Sequence, residues 1–261
     1  MINQHHPFHI VYPRPWPILT GLSAFSMLTG AAVWISTKRI NLIIIGIFTT
    51  TICCSQWWRD VSRERSFQGF HSNLVINGLR WGMILFITSE VLFFFSFFWA
   101  FFHRRLAPNI ELGLLWPPLG IQAINPYQVP LLNTTVLLAS GVSVTLRHHE
   151  LIKKNNSSRK SFLGITVLLG VYFTCLQGWE YWEASYTLRD SRFGATFFLA
   201  TGFHGFHVFV GTVFLFFSLL RHKINLLSNS HHIGLEAAIW YWHFVDVVWL
   251  FLYRFLYWWS Y

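Results

Sequence analysis

The chain has 261 residues, of which 54% are hydrophobic, 19% aromatic and 11% charged, with a formal net charge of +9. Soluble domains carry about 25% charged residues, so this composition excludes an ordinary soluble fold and points to a protein that crosses a membrane several times. The basic residues fall between apolar stretches rather than over one continuous surface, which argues for membrane topology and against nucleic-acid binding.

In chain order, the first fifteen residues hold His5, His6, His9, Pro7, Pro13 and Pro15 but no apolar run. They match neither a signal peptide nor a transit peptide, which suits a protein made inside the compartment where it is inserted. Seven nearly charge-free stretches follow, over 15–37, 40–58, 81–103, 130–146, 161–179, 193–220 and 237–253. Each reaches, or nearly reaches, the ~20 residues that cross a ~30 Å hydrocarbon core at 1.5 Å per residue. Continuous helices satisfy their backbone within lipid, whereas a barrel needs shorter alternating strands, so the predicted class is an all-α membrane protein of seven transmembrane helices.

Pro117, Pro118, Gly120, Pro126 and Pro130 punctuate the longest connection, and Asn155, Asn156, Ser157 and Ser158 break the chain between the fourth and fifth spans. Trp57, Trp58, Trp81, Trp258 and Trp259 fall at predicted span ends, where an amphipathic ring suits the headgroup layer. An odd number of spans puts the termini on opposite sides. The richer alternating set of basic segments holds Arg14, then Arg59, Arg63, Arg65 and Arg80, then Arg147 through Lys160, then Arg221 and Lys223. The positive-inside rule therefore places the N-terminus in the matrix or cytoplasm. Cys53, Cys54 and Cys175 have neither disulfide nor zinc spacing and are read as small buried hydrophobes.

Glu90 is the one acid inside the third span, near mid-membrane, where desolvation demands a proton or hydrogen bonds. Two readings stand, proton handling and a satisfied interfacial acid. His204 and His207 share a helix face at i, i+3, and His243 lies on another span, so haem or metal ligation has to be weighed. His103 sits at a span end and His148, His149, His231 and His232 in predicted loops, so the histidines do not visibly converge, and a structural role without metal is expected. Asp246 follows His243 by three residues and Glu236 opens the last span; both are read as structural polar groups. Glu180 and Glu183 are expected to pair with Arg189 or Arg192 at the surface. No phosphate-binding glycine loop, nucleophile elbow or HExxH pattern is present, so no catalytic residue is assigned.

Longer motifs carry more information than these single residues. They include Pro15-Trp16-Pro17, Trp57-Trp58-Arg59-Asp60-Val61, Ser89-Glu90-Val91, Trp99-Ala100-Phe101-Phe102-His103, Trp116-Pro117-Pro118, Thr201-Gly202-Phe203-His204-Gly205-Phe206-His207, and Trp240-Tyr241-Trp242-His243-Phe244-Val245-Asp246. In this order, from about Tyr12 to Trp259, the chain resembles subunit III of the haem–copper cytochrome c oxidases. The resemblance implies a single membrane domain over 1–261, with helices 1–2 (about 15–65) splayed from a five-helix bundle (about 73–258). It implies partnership with subunits I and II and accessory subunits, haem and copper in those partners and none in this chain, and a place in the mitochondrial inner membrane, with the bacterial plasma membrane as the alternative. It also implies that Glu90 faces the redox subunit near its proton-delivery route, and that Arg59, Arg63, Glu64, His71, Arg80, Arg221 and His231 form a phospholipid cradle, for which a solvated positive rim is the plain alternative.

Phe70, Arg104, Arg105 and the Leu146-Arg147 pair depart from the family pattern, which weakens the transfer of the cradle and the outer rim. Two other functions remain open at this point. A quinol-oxidase third subunit usually lacks the first two helices, which this chain encodes, and a free-standing proton-coupled transporter calls for paired, helix-broken spans that are not apparent.

Overall fold

The computed structural model describes residues 6–108, 110, 113–152, 159–224 and 232–261. Among them, seven helices are long and apolar enough to cross a membrane. They are α1 (Trp16–Thr37), α2 (Asn41–Ser66), α3 (Asn73–Leu106), α4 (Val129–Ile152), α5 (Arg159–Glu183), α6 (Arg192–Lys223) and α7 (Ile233–Leu252), the last continued by a π-helical segment, Tyr253–Trp258. Several run past the predicted spans: α2 to Ser66, α4 to Ile152, and α3 from Asn73. Intrahelical bonding does not stop where the hydrocarbon stops, so charged residues extend a helix that hydropathy alone ends early.

The chain forms two compact units, Met1–Leu79 and Arg80–Tyr261, with the boundary inside α3. In the first, α1 and α2 fold back on each other through a turn at Lys38, which takes a left-handed φ of 61° and donates its N–H to Trp34 O. Their contact is made by glycine. A Cβ on Gly30 would lie 2.5 Å from Ile43 N, and one on Gly46 would lie 2.5 Å from Met27 Cα. Without apolar solvation to drive it, helix pairing in lipid depends on such close backbone approach. At the far end the Trp16 indole N–H donates to Asp60 Oδ2 at 2.7 Å.

In the second unit α7 is the central element, with Trp242 and Trp249 fully enclosed. Their indole N–H groups donate to Ser140 Oγ (2.8 Å) and Thr134 Oγ1 (2.9 Å) on α4. Gly170 of α5 and Gly211 of α6 make room for the Trp242 ring, the added Cβ lying within about 3 Å of it at either position. Gly205 faces open space, and Gly202 meets only Tyr181 Oη at 3.8 Å. The cysteines also differ from expectation: Cys53 and Cys54 are half-buried and Cys175 is exposed, because they lie on outward faces of α2 and α5.

Candidate functional site

Glu90 lies midway along α3 and meets His207 of α6, Oε2 to Nε2, at 2.9 Å. The other ring nitrogen, Nδ1, donates to Phe203 O at 2.6 Å, one turn back on the same helix. With Nδ1–H committed, the contact with Glu90 needs one more proton, held either by the carboxyl or by Nε2. The pair is thus a one-proton bridge between two helices, walled by Phe93, Phe94 and Tyr241. Sequence reading had placed Glu90 and His207 at membrane depth separately; their being partners is a tertiary fact.

His204 serves a different end. It is fully buried, its Nε2–H donates to Val245 O at 3.2 Å, and Phe173 and Trp249 pack on its ring. His243 is half exposed, 3.2 Å from Thr145 Oγ1 and 3.6 Å from the buried Asp246 carboxylate. The three histidines at first weighed as ligands therefore each have a separate polar partner.

Glu180 corrects an expectation. It is buried rather than at the surface and accepts from Tyr257 Oη at 2.6 Å, in a chain continued by Gln177 and Asn133. The π-helical end of α7 turns Tyr257 inward to reach it, which no local signal predicts.

At the other end of α7, Glu236 accepts from Arg80 at 3.0 and 3.2 Å and lies 3.0 Å from His232 Nε2. Since α4 continues through Arg147, His148 and His149, these are helical residues rather than loop residues, and Arg147 is fully buried. Candidate ligand atoms of His148, His232 and Glu236 all lie within 4.8 Å of one another. This convergence was not expected from the sequence. Arg221 sits against Gly234 at the start of α7, 3.6 Å from where a Cβ would be, and His231 lies outside the described residues.

In the first unit Glu64 is buried, forms an ion pair with Arg14, and lies 3.4 Å from His9 Nε2. Burial first, and the Arg14 guanidinium second, hold His9 below the usual imidazole pKa, so Arg14 carries the positive charge opposite Glu64. The His9 ring stacks on Phe70 with centroids 5.0 Å apart and lies 6.2 Å from His71. Arg59 pairs with Asp60 at 3.1 Å, and Arg63 is exposed.

The model of the family described as cytochrome c oxidase subunit III matches residues 6–261. Cytochrome c oxidase subunit 3 of Locusta migratoria is 57% identical over 258 residues, covering 99% of this chain and 98% of the relative. The Drosophila melanogaster protein of the same name is also 57% identical with the same coverage, and that of Oryctolagus cuniculus is 55% identical over the full length of both chains. The chain belongs to the cytochrome c oxidase subunit III family. It is thereby a component of an oxidoreductase complex, and its seven apolar helices fit a multi-pass inner-membrane protein.

Phe70, Arg104 and Arg105, read from the sequence as departures from the family pattern, each have a place in the structure. Phe70 is the stacking partner of His9. The Arg105 guanidinium lies over the Trp259 ring at 4.3 Å, a cation–π contact, and Arg104 lines a shallow hollow with Trp99, His103 and Arg192.

Proposed function

We propose that this chain is the non-redox core subunit standing beside subunits I and II of cytochrome c oxidase, in the complex that oxidises cytochrome c, reduces dioxygen to water and pumps protons. It supports subunit I, retains phospholipid and sustains proton uptake, while haem and copper reside in the partner subunits. The membrane is the mitochondrial inner membrane, with the N-terminus on the matrix side. The observation that carries the proton-uptake part of this reading is the Glu90–His207 bridge, an ionisable pair held in an apolar wall and able to keep one proton.

The pair modulates delivery through the partner and is no obligatory relay. Glu90→Gln keeps shape and hydrogen bonding to His207 but does not titrate. The mutant oxidase is expected to assemble with full haem content and to reduce oxygen at close to the parental rate. A drop of roughly 10²-fold or more in a fully assembled complex, the effect of losing an acid–base group, would identify a direct relay instead.

The phospholipid cradle takes in Arg63, which is exposed, and Arg221, which is half-buried. Of its other members, Arg59 pairs with Asp60, Arg80 with Glu236, and Glu64 with Arg14. Replacing Arg63 and Arg221 with Leu is expected to lower the phospholipid that stays with the detergent-purified complex, counted per haem by mass spectrometry. Unchanged lipid content contradicts the cradle and leaves an ordinary positive rim.

A further inference from the structure

Two imidazoles and a carboxylate approach one another where the end of α4 meets the start of α7. His148 comes from α4, His232 immediately precedes α7, and Glu236 stands one turn further on, so the last two share a face at i, i+4. All three offer ligand atoms within 4.8 Å of one another. The side chains of His232 and Glu236 are only 11% and 12% exposed. The buried His148 Nε2 and His232 Nδ1 have no hydrogen-bond partner among the described residues.

We propose that His148, His232 and Glu236 form a binding site for a divalent transition-metal ion, zinc by its chemistry. Two neutral imidazoles and one carboxylate are borderline ligands, which suit Zn²⁺ better than the all-oxygen shells of magnesium or calcium. Bonds of ~2.0–2.1 Å place tetrahedral ligands about 3.3 Å apart, so side-chain rotations closing 4.8 Å by about 1.5 Å complete three corners, and water takes the fourth. Arg80, already paired with Glu236, is the outer partner that orients the carboxylate, and its positive charge holds the affinity down. The ion would tie α7 to α4 at one end of the second unit. It has no redox chemistry, and the site reverses the sequence-based expectation that this chain holds no metal.

The test uses the assembled oxidase, stripped with chelator and titrated with Zn²⁺ alone. One saturable zinc per complex is expected beyond the tightly held metals. His148→Gln and His232→Gln, each checked for assembly by haem content, are expected to weaken that binding at least about 10-fold, since even loss of an outer-shell partner costs 10–100-fold. Anomalous scattering at the zinc edge from crystals of the unmutated complex supplies a readout that does not depend on a variant folding, and a peak between the three side chains is expected. Zinc binding unchanged in the assembled His148→Gln complex, or a zinc-soaked crystal without a peak at these residues, overturns the proposal.

Discussion

Trp242→Ala is expected to prevent accumulation of the assembled oxidase. The Trp242 ring is fully buried, its N–H is bonded to Ser140 Oγ, and it fills the space that Gly170 and Gly211 leave open on two further helices. Truncation removes the filler between α4, α5, α6 and α7 at once. Loss of a buried tryptophan costs about 3–5 kcal/mol, a large share of a typical margin of 5–15 kcal/mol. Trp242→Phe, which keeps most of the volume but leaves Ser140 without its donor, is expected to assemble at reduced yield. The measurement is haem-containing complex per cell and its dissociation temperature in detergent. An alanine variant as stable as the parent would show that α7 is not held by this ring.

Glu64→Leu is expected to loosen the first unit to a similar degree. Arg14 is only 15% exposed in its side chain and faces the Glu64 carboxylate, with His9 beside it. Removing the acid leaves a guanidinium at low exposure without its counter-charge, for which about 3–5 kcal/mol is typical. The expected result is proteolytic cleavage near the α2–α3 turn in a complex that otherwise resists it. Arg14→Met combined with Glu64→Leu removes both charges and is expected to recover most of the loss. If the double variant is as labile as the single one, the ion pair is not the source of the stability.

The membrane class was legible because lipid imposes it locally. A gap of about twenty uncharged residues reads as a span regardless of neighbours, and every predicted span falls on a helix. The limits of the helices were less legible. Arg147 and His148 looked like loop residues because charge ends a hydropathy window, but charge does not end a helix whose last turns are covered by neighbours. That difference hid the His148, His232 and Glu236 cluster. Glu180 was misplaced for a related reason: its position near the end of α5 suggested solvent, while the π-helical end of α7 brings Tyr257 over it.

Glycine roles divided in the same way. Gly30, Gly46, Gly170 and Gly211 face another helix, and Gly205 faces nothing, yet all five look alike in the sequence. Which glycine matters depends on which face of a helix is turned inward, and that is fixed by the whole set of packed neighbours.

By itself, then, the sequence determined that this protein is an all-α, seven-span membrane chain of the subunit III type, because spans are set by local hydrophobicity and the family by long ordered motifs. It also determined which polar residues are costly enough in lipid to need partners. Only the tertiary structure decided the partners themselves: His207 for Glu90, Tyr257 for Glu180, Arg14 for Glu64, and Arg80 with His232 for Glu236. Such pairs join residues that are mostly far apart in the chain, and the rotation and depth of each helix, which decide them, follow from packing rather than from any local pattern.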